Sequence, residues 1–178
     1  MKLTLETKRL LLRPFEAADA EEMYTCWASD PQVTEYLTWN THANADVTRE
    51  VLRGWEAGYE KPERLNFAIV LKRTGALIGG IDVCGYLGGV QGTPVIGYVL
   101  GREYWNRGYM TEACRRVLEH LFSIGYKEVR IDAAQDNGRS NRVIEKCGGV
   151  FIGTEEMEFP RKNTVKTVNE YIVRPERD

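Results

Sequence analysis

Chemistry-bearing side chains are scarce in this chain of 178 residues. It has two histidines, His42 and His120, and neither has a partner at metal-ligand spacing, so no metal site is expected. There are three serines, Ser29, Ser123 and Ser140, none of them in G-x-S-x-G, which argues against a serine hydrolase. The cysteines Cys26, Cys84, Cys114 and Cys147 are scattered without a C-x-x-C pair and read as free thiols in a reducing compartment. G-x-x-x-x-G-K-[ST] is absent, as is G-x-G-x-x-G after an early strand, so neither a P-loop nor a dinucleotide fold is expected. No apolar run could span a bilayer, and "MKLTLETKRLLLRPFEAADA" lacks the apolar centre of a signal peptide. A cytoplasmic protein without a membrane partner is therefore expected. With a net charge of −2 and a pI near 5.8, no nucleic-acid partner is expected either.

What is present suits one domain over residues 1–178, with a core of two or three layers. "KRLLLRPF" reads as a first strand, ended by Pro14. "EAADAEEMYTCWASD" has apolar residues at helical spacing, and a second helix spans roughly Ala45 to Tyr59. The runs "NFAIVLK", "ALIGGIDVCGY" and "PVIGYVLG" follow as strands, the first two joined by a tight turn at "RTG". A long helix has Met110, Cys114, Val117, Leu118, Leu121 and Phe122 as its apolar stripe, with Gly125 as its stop. Then come the strand "EVRIDAAQ", the short helix "GRSNRVIEKCGG", and the strands "GVFIGTEEMEF" and "TVNEYIV". This order predicts a mixed α/β sandwich around one sheet.

The junction "VLGREYWNRGYMTEA" carries the functional signal. A helix N-terminus offers unpaired amides and the positive end of the helix dipole, and a glycine before it lets a ligand approach. Gly108 and the amides of Arg107 to Thr111 could converge on a phosphate, with Arg107 as a nearby cation. A plain connecting loop is the alternative reading.

"IGYVLGREYWNRGYMTEACRRVLEHLF" followed by "DNGRSNRVIEKCGG" resembles the acetyl-CoA-binding core of the GNAT N-acetyltransferases. Within them it is similar to the RimJ/RimL branch of ribosomal-protein N-terminal acetyltransferases, as are "ETKRLLLRPFEAADAEEMY", "DPQVTEYL" and "VNEYIV". The resemblance implies a mostly antiparallel twisted sheet of about seven strands, helices on both faces, and a central parallel pair that splays apart. It implies that Trp105, Asn106, Arg107, Gly108, Tyr109, Met110 and Thr111 wrap the diphosphate of coenzyme A. Val99 and Leu100 would pair with the pantetheine arm, Asn137 would hydrogen-bond it, and Ser140 would lie near the sulfur. Three departures stand out: Met110 at an outer loop position, Val95 where many relatives have glutamate, and Gly149 in place of phenylalanine.

The implied reaction is acetyl transfer from acetyl-CoA to a primary amine, on a protein N-terminus or a small molecule. It needs a base for the ammonium, donors for the oxyanion and a proton for the thiolate. The Leu100 amide is the candidate oxyanion donor, and Ser140 either protonates the thiolate or caps its helix. Candidate bases are Glu158, Asp82 and, as an outsider, Glu155; solvated strand-face charge is the plain alternative for each. Acceptor recognition is expected from "YLTWNTHAN", "GYLGGVQGTP" and "FPRKNTVKT", with Trp39 and Tyr36 as wall candidates. Val95 also leaves open a coenzyme-binding module without turnover, and a different acyl group or a hydroxyl acceptor remains an alternative. A homodimer is compatible with the sequence.

Overall fold

The computed structural model describes residues 3–59, 64–85 and 92–175. Among the described residues, eight strands form one sheet in the order β1-β2-β3-β4-β5-β6-β8-β7. They are β1 Leu5–Glu6, β2 Leu10–Pro14, β3 Arg64–Leu71, β4 Leu77–Cys84, β5 Val95–Leu100, β6 Val129–Ala134, β7 Val150–Phe159 and β8 Thr164–Val173. Every neighbouring pair is antiparallel except β5 and β6, which run parallel. The sheet has one strand more than expected: β1 is two residues long, too short to show alternation, and pairs Leu5 with Leu12.

The helices are α1 Ala20–Met23, α2 Pro31–Thr34, α3 Ala45–Gly58, α4 Tyr109–Ser123 and α5 Gly138–Lys146. Alternation along each strand sends apolar side chains to both faces, and helices cover both. On one face Leu12, Ile69, Ile81, Ile96 and Ile131 pack beneath the α4 stripe of Ala113, Cys114, Val117 and Leu121. On the other, Phe15, Ala68, Val70 and Leu77 pack against Met23, Trp27 and Leu52. The first predicted helix is a composite, with a 3-10 turn, α1, and a π turn over Tyr24–Ala28. The π turn closes through Ser29 N donating to Tyr24 O at 3.0 Å, and Met23 and Trp27 are both buried across it. Helix α2 goes beyond the sequence reading: Asp30 caps it by accepting from Gln32 N at 2.9 Å, with Pro31 in its first turn. No helix of the described residues is long and apolar enough to cross a membrane. The four cysteines are free thiols.

Candidate active site

The site begins where β5 and β6 part. Their parallel ladder has two register pairs, Val95↔Arg130 and Ile96↔Ile131, while β4 pairs with β5 along its whole length. From Gly97 onward, β5 therefore has one edge open. Gly101 N donates to Ile78 O at 2.8 Å, toward β4, so strand alternation points the amides of Tyr98 and Leu100 into the gap.

The loop after β5 is held by its own side chains. Trp105 Nε1 donates to Leu100 O at 2.8 Å, and the Arg139 guanidinium stacks on the Trp105 ring at 4.1 Å. Asn106 and Gly108 adopt left-handed φ values of 60° and 76°. Gly108 is the N-cap of α4, and no side chain caps that end. Glu112 N is the first amide to find a helical partner, at Gly108 O (3.1 Å), so the amides of Tyr109, Met110 and Thr111 are left for a ligand. The Glu112 side chain locks the same turn from behind, accepting from Thr7 Oγ1 at 2.6 Å and Arg9 N at 2.9 Å. Burial works against its charge, but these bonds and the Arg9 guanidinium outweigh it and lower the carboxyl's pKa.

A cavity of about 1280 Å³ runs from this helix end through the gap to the opposite face of the sheet. Its α4 end is lined by Arg139, Arg142 and Lys146, a basic half. Its other end is aromatic and acidic, with Phe15, Trp27, Trp55, Asp82 and Asp132 in the wall. An uncapped helix end beside three cations fits a diphosphate.

Ser140 is not the cap of α5. Asn137 is, accepting from Ser140 N at 3.2 Å, because the helix starts two residues before the serine, at Gly138. The Ser140 hydroxyl is paired instead with the Tyr98 hydroxyl at 2.8 Å, and both line the cavity. Burial pushes the Tyr98 phenol far above its usual pKa, keeping its proton.

Asn141 is a buried joint that the sequence reading passed over. Its Nδ2 donates to Ala134 O at 3.0 Å and Asn137 O at 2.8 Å, and its Oδ1 accepts from Asn169 Nδ2 at 2.9 Å and Tyr171 OH at 2.8 Å. It ties α5 to the end of β6 and to β8, on the strand that diverges from β5 and its neighbour. The available signal was an asparagine at a core-facing position of α5, three residues before the buried Ile144.

On the opposite face, the register aligns Asn66, Asp82 and Gly97 across β3, β4 and β5. A Cβ at Gly97 would lie 2.9 Å from Asp82 Oδ1, so the carboxylate leans over the bare backbone toward the gap. Cys84 Sγ donates to its other oxygen at 3.3 Å. Asp132 faces the gap from β6 but is held by Arg130 Nε, at 2.8 and 2.9 Å. Arg130 also reaches Glu170 at 2.6 Å and Glu155 at 3.2 Å. Glu155 is thus engaged in an ion-pair network outside the cavity wall.

Alternation along β7 turns Met157 and Phe159 into the cavity and Glu158 to solvent on the opposite face. The structure therefore does not bring Glu158 to the gap. Arg107 is also exposed outside the lining, its carbonyl accepting from Arg9 Nη1 at 3.0 Å. The other named residues, Asp82, Val99, Leu100, Trp105, Asn106, Gly108, Tyr109, Met110, Thr111, Asn137 and Ser140, meet in one cavity. Tyr36, Trp39 and Arg161 line its aromatic end. In "GYLGGVQGTP", residues 86–91 lie outside the described residues.

Comparison with known proteins agrees with this geometry. The acetyltransferase (GNAT) domain family model matches residues 9–150. A Bacillus subtilis protein named as an uncharacterized N-acetyltransferase, YnaD, is 32% identical over 164 residues, covering 89% of each chain. A Bacillus anthracis acetyltransferase of the GNAT family superposes with a TM-score of 0.82 at 26% identity, over 97% of this chain and 98% of the other. RimL, a ribosomal L7/L12 α-N-protein acetyltransferase solved with coenzyme A, shares the fold with a TM-score of 0.82 at 16% identity, over 97% and 98%. The chain thus belongs to the acetyltransferase (GNAT) family.

Proposed function

We propose that the protein transfers an acetyl group from acetyl-CoA directly to a primary amine, without a covalent enzyme intermediate. The observation that carries this reading is the parting of β5 and β6 after Ile96↔Ile131, between an open helix end and a carboxylate. Acetyl-CoA supplies the activated thioester. The amides of Tyr109 to Thr111 and the Arg139, Arg142 and Lys146 side chains hold its diphosphate, and the open edge at Tyr98 pairs with its pantetheine arm, because the alternation that opens Tyr98 and Leu100 turns the Val99 amide toward β4. Asn137 uses its side-chain oxygen as the helix cap, which leaves its amide hydrogens for the arm.

Asp82 takes the proton from the acceptor ammonium, directly or through one water, so that the neutral nitrogen can attack. The Leu100 amide faces the gap and stabilises the carbonyl oxygen as charge develops on it. When the carbon–sulfur bond breaks, the departing thiolate takes the second proton that the attacking nitrogen gives up, and the Ser140 hydroxyl, paired with the Tyr98 hydroxyl at 2.8 Å, donates a hydrogen bond to the sulfur. The RimL likeness favours a protein N-terminus or another primary amine as acceptor.

Coenzyme A at about a hundredfold excess over its Kd should raise the unfolding midpoint by roughly 5–10 °C. Acetyl-CoA with an amine panel should then release free thiol. No thermal shift, or a shift without thiol release on any amine, would overturn the reading.

A further inference from the structure

Acetyl transfer uses none of the four cysteines, yet two of them meet beside the diphosphate end of the cavity. Cys114 is fully buried on α4, and Cys147, the C-cap residue of α5, is half-buried and packs against the same core. Cys147 Sγ donates to Thr111 O at 3.8 Å. Thr111 and Cys114 lie about one turn apart on one face of α4, so the Cys147 sulfur stands over that face. The two thiols are in hydrogen-bond contact, Cys114 donating to the Cys147 sulfur. Arg115 completes the clasp, its Nη2 donating to Lys146 O, the carbonyl just before Cys147. The other thiols lie elsewhere: Cys26 packs on the opposite face of the sheet with its Sγ 4.0 Å from Ile78 O, and Cys84 ends β4.

The pair is unequal in the way thiol oxidation requires. Contact with Cys114 lowers the Cys147 pKa and the Arg115 guanidinium adds to the effect, against the cost of burial. The same contact, together with full burial, keeps the proton on Cys114. Cys147 is thus the attacking thiol, reachable from solvent, and Cys114 is a resolving thiol already beside it. Because the sulfurs touch in the reduced protein, a short shift closes them to a bond of about 2.0 Å.

We infer that Cys114 and Cys147 form a reversible redox-modification site, at which a peroxide closes an intrachain disulfide between α4 and the end of α5. The Cys147 thiolate attacks one oxygen of hydrogen peroxide. A sulfur–oxygen bond forms, the oxygen–oxygen bond breaks, and hydroxide leaves to take up the proton that Cys147 released. The Cys114 sulfur then attacks the Cys147 sulfenic sulfur. A sulfur–sulfur bond forms, the sulfur–oxygen bond breaks, and the departing hydroxide takes the Cys114 proton. The two thiols lose two electrons and two protons, and one peroxide becomes two waters. The bond staples the end of α5, which carries Lys146, to the start of α4, which carries the open Thr111 amide. A dithiol reductant opens it again, and no step depends on acyl transfer.

In the test, the reduced full chain is treated with a small excess of hydrogen peroxide, alkylated and mapped by mass spectrometry. The expected product joins Cys114 to Cys147, leaves Cys26 and Cys84 alkylated, and regains all four thiols with dithiothreitol. Closing a loop of about thirty residues should raise the melting temperature by roughly 5 °C or more. Cys114→Ala should stop at a Cys147 sulfenic acid, trapped by dimedone, without that rise, and Cys147→Ser should leave Cys114 unoxidised. First oxidation at Cys26 or Cys84, or a Cys147 sulfenic acid that persists in wild type without the crosslink, would overturn the inference. The wild-type map decides this even where a variant fails to fold. A crosslink that lowers the melting temperature would overturn the staple.

Discussion

The basic half of the cavity comes from two local stretches, main chain over 99–111 and the Arg139, Arg142 and Lys146 side chains of α5, while the aromatic half is made of side chains from many separate elements. In the basic half, the amides of Tyr109 to Thr111 are open because Gly108 is left-handed and no side chain caps α4, and the three cations stand beside them. In the aromatic half, Phe15, Trp27, Trp55, Asn66, Asp82 and Phe159 come from six different places in the chain. Main-chain recognition reads charge and shape that a family can share. Side-chain recognition can change one position at a time without disturbing the fold, so acceptor choice belongs in that half.

If the halves are independent, substitutions should separate chemistry from coenzyme binding. The largest effect is expected from Asp82→Asn, which should lower kcat/KM by about 10²- to 10⁴-fold in a thiol-release assay, with coenzyme A affinity unchanged. A loss in coenzyme affinity instead would merge the halves. Next is Gly108→Val. A φ of 76° costs a β-branched residue at least about 1–2 kcal/mol, which strains the turn that presents the open amides. Coenzyme affinity by calorimetry should fall at least about tenfold, with amine affinity retained.

A smaller effect concerns the brace behind the basic half. Glu112 has its pKa lowered from the ordinary 4.5, so its stabilisation is complete above that value and fades as pH falls through the lowered one. Glu112→Gln should therefore lower the urea midpoint at pH 7, and the difference from wild type should shrink toward pH 3. A pH-independent difference would assign the effect to packing. The smallest effect is expected at Glu158, which faces solvent on the far side of β7; Glu158→Gln should stay within about twofold of wild-type kcat/KM across the pH range. A flattened alkaline limb would move the base from β4 to β7.

The legibility of the site followed the same division. The β5–α4 junction was readable because glycine, tryptophan and the helix start lie within a few consecutive residues, and local backbone geometry follows local sequence. Glu158 and Asp82 looked equivalent as carboxylates on strands. They differ because alternation along β7 sends Glu158 away from the cavity, while register places Asp82 beside Gly97. Ser140 read equally well as a cap or as a proton donor until Asn137 proved to hold the cap position. Asn66 and Asn141 had no motif around them. Their surroundings come from other strands: Asn66 is buried beside Asp82 across β3 and β4, and Asn141 makes four hydrogen bonds to three elements.

By itself, then, the sequence determined the order of the longer elements, the two-faced apolar patterning of the strands and the anion-ready helix start, because each depends on residues within a few positions of one another. The tertiary structure alone decided which carboxylate meets the gap, how the Ser140 and Tyr98 hydroxyls pair, and what surrounds the acceptor. Those depend on register between strands and on packing between distant segments, and a one-residue change of register would reverse the face on which every such side chain stands.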